Sequence, residues 1–220
     1  MVPKAARIDF RLYLVTDRQQ TAERPLEAVV AAAARGGVGA VQLREKDLSA
    51  RELYALGARL QEALAPYNVP LLINDRLDVA LALNAAGVHL AGHSLSVAQA
   101  RRVLGPHKLI GISTHHVDEA CQAAADGGDF VVFGPVFATP SKMVYGPPQG
   151  LQNLATVTRQ VSMPVFAIGG INTDNLTQAL DVGAHGVALI RAVLAAADPY
   201  ESTQQLCQAL SQASSASGTC

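Results

Sequence analysis

The stretch Pro25-Leu26-Glu27-Ala28-Val29-Val30-Ala31-Ala32-Ala33-Ala34-Arg35-Gly36-Gly37-Val38-Gly39-Ala40-Val41-Gln42-Leu43-Arg44 decides the fold. Its first half is Ala-rich and amphipathic, as a surface helix is, and Gly36-Gly37 supplies the left-handed turn that ends one. Ala40 to Arg44 then reads as a short strand. A doubly wound dinucleotide-binding sheet, the runner-up, carries its glycines directly after the first strand. Here Gly36, Gly37 and Gly39 precede a strand and act as a helix stop. The same order of helix, glycine and strand returns at Ala86-Gly87-Val88, Asp126-Gly127-Gly128-Asp129 and Val182-Gly183-Ala184-His185-Gly186.

Outward from that unit, strands are predicted at Arg11 to Thr16, Ala40 to Arg44, Pro70 to Asn74, Gly87 to Leu90, Lys108 to Ser113, Phe130 to Gly134, Pro164 to Ile168 and Gly186 to Ile190. Helices are predicted at Pro25 to Arg35, Ala50 to Leu64, Leu77 to Ala85, Val97 to Leu104, Val117 to Ala125, Leu151 to Gln160, Asp174 to Val182 and Pro199 to about Leu210. Eight strand-helix units in about 200 residues fit an α/β protein built as a single (β/α)8 TIM barrel, at the small end of that fold. The barrel domain spans residues 1–210. Ser211 to Cys220 has too little apolar content to pack and is expected to be a disordered tail.

Composition narrows the function classes. The 220 residues are half hydrophobic, enough for one well-buried core. Seventeen Lys and Arg against 18 Asp and Glu give a formal charge of -1, so no basic field attracts nucleic acid. The longest stretch without acids, lysines or arginines, Val79 to Ala100, is interrupted by Asn84, Gly87, His89, Gly92, His93 and Ser94 and does not read as a membrane helix. Met1 to Asp9 has no apolar secretory core, so the expected compartment is the cytoplasm. Cys121, Cys207 and Cys220 have no disulfide or zinc-ligand spacing and read as ordinary thiols. A homo-oligomer is compatible with the chain.

In a barrel the C-terminal strand ends and the loops after them build the active site. Period-two alternation along Val41-Gln42-Leu43-Arg44-Glu45-Lys46 turns Gln42, Arg44 and Lys46 to one face and Val41 and Leu43 to the helices. Inward cations at a mouth call for an anion; the alternative is that Arg44 pairs with a carboxylate while Glu45 and Lys46 are solvated loop charges. Asn74-Asp75 either caps the helix near Leu77 or offers Asn74 to a ligand and Asp75 to a hard cation such as Mg2+. Ser113 either belongs to the next helix cap or faces the ligand. The connection from Gly134 to Gly150 is long and rich in Pro and Gly, as lids and binding loops are, and its Thr139, Ser141 and Lys142 suit phosphate oxygens. Gly169-Gly170 after the seventh strand and Ile190-Arg191 after the eighth form a second anion region. Two phosphorylated ligands, or one with phosphate at both ends, satisfy this layout.

The segments Gln42-Leu43-Arg44-Glu45-Lys46, Ile73-Asn74-Asp75, Gly111-Ile112-Ser113-Thr114-His115, Phe133-Gly134-Pro135-Val136-Phe137-Ala138-Thr139-Pro140-Ser141-Lys142 and Ala167-Ile168-Gly169-Gly170-Ile171 resemble thiamine phosphate synthase, in the thiamine phosphate synthase and thiazole tautomerase superfamily. The likeness covers about residues 11 to 210. It implies a transferase of thiamine biosynthesis that joins hydroxymethylpyrimidine diphosphate to hydroxyethylthiazole phosphate and releases pyrophosphate. On the resemblance Gln42, Arg44, Lys46, Asn74 and Lys142 hold the pyrimidine diphosphate, and Ser113 lies near the reacting ring. Thr139, Ser141, Gly170, Ile190 and Arg191 hold the thiazole phosphate, with Arg191 where the family usually has Ser. Arg44, Lys46, Ser113 and Lys142 carry the catalytic work, and Asp75 binds Mg2+. The chain departs from the family pattern at Ser94, which stands where a second metal-binding Asp is usual.

Two other functions compete. A thiazole tautomerase-like isomerase needs an acid-base pair and no metal; its catalytic His falls where this chain has Pro135, leaving His115 and His116 as alternative bases. A non-catalytic barrel that binds phosphorylated ligands would keep the cations without turnover.

Overall fold

The computed structural model describes residues 8–139 and 147–216, with backbone only for 214–216. Its strands are β1 Leu12–Val15, β2 Ala40–Leu43, β3 Leu71–Asn74, β4 Gly87–Leu90, β5 Leu109–Thr114, β6 Phe130–Phe133, β7 Val165–Ile168 and β8 Gly186–Leu189. The helices are α1 Leu26–Gly36, α2 Ala50–Leu64, α3 Leu77–Ala82, α4 Val97–Leu104, α5 Val117–Ala125, α6 Gly150–Gln160, α7 Leu176–Asp181, α8 Arg191–Leu194 and α9 Pro199–Ala216. Every neighbouring strand pair is parallel, and β1 closes on β8 through the register Tyr13↔Ala188. The expected (β/α)8 barrel is therefore the observed one.

Alternation along each strand sorts the side chains into two cores. Val41, Leu43, Ile73, Val88, Leu90, Val131 and Val187 pack outward in the layer against the helices. Phe10, Tyr13, Leu72, Phe130, Val132 and Phe166 fill the barrel itself. Phe130 meets Tyr13 and Phe166 edge-on at 5.5 Å, the offset geometry that suits aromatic quadrupoles. Burying each of these rings contributes about 1.5–3 kcal/mol. They plug the lower barrel, so space for a ligand remains only above them.

Local chemistry sets the helix ends. Gly37, at φ +106°, ends α1 by donating its amide to the Ala33 and Ala34 carbonyls. Ser49 with Glu52 and Ser96 with Gln99 form capping boxes at α2 and α4. Helix α3 stops three residues before the predicted Ala85, and Asn84 takes φ +48°. Helix α9 runs past the predicted Leu210 to Ala216, with the Ser211 hydroxyl donating to the Cys207 carbonyl at 2.9 Å. Residues 211–216 are thus helical, and 217–220 of the expected tail lie outside the described residues.

Candidate active site

A cavity of about 670 Å³ opens above the aromatic plug at the C-terminal ends of the strands. Gln42 from β2, Asn74 from β3, His89 from β4 and Ser113 from β5 form an inward polar layer, with Ile168 of β7 and Ala188 of β8 opposite. Arg44, Lys46, Thr139, Gly170, Ile190 and Arg191 also line the cavity. Nine of the residues expected to bind substrate therefore share one concavity; Ser141 and Lys142 lie outside the described residues.

Each is positioned by its strand or by the loop behind it. Gln42 is buried, as the alternation required. The Arg44 amide donates to the Thr16 hydroxyl at 2.9 Å, which ties the exit of β2 to that of β1. Among the described residues no carboxylate lies within 4 Å of the Arg44 guanidinium, so the ion-pair alternative is not realised. Gly169 and Gly170 take φ +98° and +66°, and a Cβ on Gly170 would lie 2.6 Å from the Ala138 carbonyl, so both the turn and the loop packed on it require glycine. Arg191 is exposed at the start of α8.

Glu45 corrects the reading of it as a solvated loop charge. Its carboxylate is buried, accepting the Arg18 amide on both oxygens at 3.1 and 3.2 Å and the Arg18 guanidinium at 3.1 Å. Arg18 also grips Asp47 with both terminal nitrogens, at 2.7 and 2.5 Å. The turn after β1 is thereby stapled to the turn after β2, on either side of which Arg44 and Lys46 project.

The capping alternatives are also settled. Neither Asn74 nor Asp75 caps α3, whose first turn has no side-chain cap. At α5 it is Glu119 that accepts the amides of His115 and His116, at 2.6 and 3.3 Å, leaving Ser113 to the cavity. His115 lines the cavity with its Nδ1 against the Gly134 carbonyl at 2.6 Å.

His89 is a buried cavity residue that the strand-end reading missed; Asp17 and Gln20, in the turn after β1, also line the cavity without having been singled out. Its Nε2 lies 2.9 Å from the Ser113 hydroxyl and its Nδ1 3.4 Å from the Tyr13 hydroxyl. Burial, with a smaller contribution from the Arg44 charge, pulls the imidazole down to about 3, so the ring is neutral near pH 7. Burial also holds the Tyr13 phenol well above its ordinary 10, opposed by a hydrogen bond with Gln42. Gly111 makes room for the imidazole: a Cβ there would overlap Phe130 and come within 2.7 Å of His89 Nδ1.

The donors for a metal are few. Asp75 follows Asn74 at φ +62°, its amide donating to the His89 carbonyl at 2.9 Å. His93 Nε2 is 3.9 Å from its carboxylate, and the Ser94 hydroxyl accepts from the Ala91 amide at 2.8 Å. Among the described residues no group of three or more His, Cys, Asp or Glu is arranged to hold a metal. One carboxylate suits a hard cation such as Mg2+ only together with oxygens that a ligand brings.

A family model described as thiamine monophosphate synthase matches residues 12–193, which is the barrel from β1 through α8. The chain belongs to the thiamine monophosphate synthase family. A Geobacter sulfurreducens relative is 50% identical over 201 residues, covering 91% of this chain and 94% of its own. The thiamine-phosphate synthase of Roseiflexus castenholzii is 45% identical over 201 residues, covering 91% and 88%. Among solved structures, the thiamine phosphate pyrophosphorylase of Pyrococcus furiosus superposes with a TM-score of 0.86 at 34% identity, covering 94% of this chain and 98% of that one. The cavity lies at the C-terminal face of the strands, where (β/α)8 barrels build their active sites, and no helix among the described residues is long and apolar enough to cross a membrane.

Proposed function

We propose that this protein is a thiamine-phosphate synthase, a transferase that joins hydroxymethylpyrimidine diphosphate to hydroxyethylthiazole phosphate and releases pyrophosphate. The observation that carries the reading is the convergence of Gln42, Arg44, Lys46, Asn74, Ser113, Thr139, Gly170, Ile190 and Arg191 on one cavity of a barrel whose relatives bear that name. The reaction breaks the bond between the pyrimidine methylene carbon and the diphosphate oxygen, which keeps the electron pair. The thiazole nitrogen then donates its lone pair to that carbon.

Charge gathers on the departing diphosphate, so the chemistry needs fixed cations and donors more than a base. Arg44 and Lys46 stand on the β2 exit, where their charge meets a diphosphate; Asn74 adds an amide and Ser113 a hydroxyl. Gln42, deeper in the barrel, offers its amide to the pyrimidine edge. Thr139, Gly170, Ile190 and Arg191 form the opposite wall and, with Ser141, take the thiazole phosphate, while Lys142 joins Arg44 and Lys46 on the pyrimidine diphosphate. Mg2+ held by Asp75 and the diphosphate would offset the leaving group's negative charge. The setting is the cytoplasm and the partners are small phosphorylated substrates.

The isomerase alternative loses its acid-base residue at Pro135, which lines the cavity where that function would need an imidazole. The test is incubation of the pure protein with both phosphorylated substrates and Mg2+, with thiamine phosphate scored by fluorescence after oxidation. Product formation supports the reading. No product, together with isomerisation of a thiazole carboxylate phosphate, replaces it with the tautomerase; ligand binding without either reaction replaces it with a binding barrel.

A further inference from the structure

Three side chains inside the barrel form a line that ends at the cavity: the Tyr13 hydroxyl, the His89 imidazole and the Ser113 hydroxyl, at 3.4 and 2.9 Å. Tyr13 and His89 are buried, and Ser113 borders the cavity. A neutral imidazole has one N–H, so the line runs one way or the other. If Nδ1 carries the proton, Nε2 accepts from Ser113, and the serine proton is turned away from the cavity. If Nε2 carries it, the ring donates to Ser113 Oγ, and the serine must send its own proton into the cavity.

Two arguments choose the second direction. A phenol is a stronger hydrogen-bond donor than an alcohol, so the lone pair of Nδ1 is best spent on Tyr13, whose buried O–H otherwise has only the Gln42 amide to turn to. A cavity walled by Arg44 and Lys46 is built for an anion, and toward an anion a hydroxyl is useful only as a donor. We propose that His89 is a positioning residue, fixed by Tyr13 in the Nε2–H form so that Ser113 presents its proton to the diphosphate of the substrate. The proposal rests on the diphosphate-binding reading above and adds the direction of the proton line, which neither the family membership nor the cavity geometry assigns.

Two measurements on the full chain test it, both with inorganic pyrophosphate and Mg2+ as the probe. Long-range 1H–15N correlation spectra of the histidine rings, with His89 assigned by its Gln variant, report the tautomer directly. The expected result is Nε2–H for His89 with and without pyrophosphate; a Nδ1–H ring in the complex overturns the proposal. The second measurement is a binding cycle by calorimetry. Tyr13→Phe is expected to weaken pyrophosphate about five- to tenfold in the wild-type background and less than about twofold beside Ser113→Ala, because the tyrosine acts only through that serine. Equal losses in both backgrounds make Tyr13 a packing residue and overturn the line. Failure of the wild type to bind pyrophosphate overturns the diphosphate site itself. The free-protein tautomer is read independently of that outcome, so the two failures are distinguishable.

Discussion

Glu45→Gln is the substitution for which the structure allows a magnitude to be worked. The carboxylate is 3% exposed and accepts three bonds from Arg18, two of them from its backbone amide. Glutamine has the same shape, yet it replaces one accepting oxygen by an NH2 that faces the Arg18 N–H and removes the charge from the remaining bond. A hydrogen bond to a charged group is worth about 1.5–3 kcal/mol. The guanidinium share is discounted, because Arg18 is 34% exposed and keeps Asp47 as a second partner. The backbone bonds keep their value, which leaves a loss of about 2–3 kcal/mol. For a domain of 220 residues that lowers Tm by roughly 5–10 °C at about 2–4 °C per kcal/mol. Because Glu45 sits between Arg44 and Lys46, the loosened staple should also raise KM for the pyrimidine diphosphate more than KM for the thiazole phosphate. Differential scanning calorimetry and two-substrate kinetics read the two effects. A Tm within about 1 °C of wild type, with unchanged KM values, would refute the staple.

Arg44→Ala removes a cavity cation that no described carboxylate balances, so kcat/KM should fall by about 10²–10³ while Tm stays within about 2 °C; comparable kinetics would remove Arg44 from the site. Ser94→Asp returns a carboxylate near Asp75 and should lower the half-saturating Mg2+ for product formation about tenfold, and a Mg2+ titration of both proteins checks it. Stability should also fall with acid through His89: the unfolded ring binds a proton near 6.5 and the folded ring only near 3, so below about pH 6.5 the unfolded state gains about 1.4 kcal/mol per unit until the folded value is reached. Urea titrations at pH 7 and pH 5 should show that loss in wild type and a smaller one in His89→Gln; equal losses would mean the ring is protonated in place.

Residues whose chemistry contradicts their neighbours were legible before the structure, and residues that complete a buried pattern were not. Gln42, Arg44, Asn74 and Ser113 are polar groups at the ends of apolar strands, where alternation alone assigns the face and the barrel assigns the ligand side. His89 lies in the same alternation, between outward Val88 and Leu90, and its β5 neighbour in the register is Gly111 rather than Ser113. The signal that finds it is that register: Asn74 pairs with His89, so an inward polar residue on β3 faces another on β4. Histidine in a strand is also compatible with core packing, and only the space above Gly111 shows that the ring occupies the cavity floor. Glu45 fails for the opposite reason. Alternation places it outside the barrel, where a charge is normally solvated, and nothing local predicts burial. Its partner Arg18 is 27 residues away in the turn after β1, which only closure of β1 on β2 brings alongside. Position within a strand is a short-range property that the chain writes locally, whereas compensation of a buried charge is a tertiary one. The site therefore divides along that line: the groups that would touch substrate were read largely from strand ends, and the groups behind them, Glu45 stapled to Arg18 and His89 beside Ser113, emerge only when the barrel is closed.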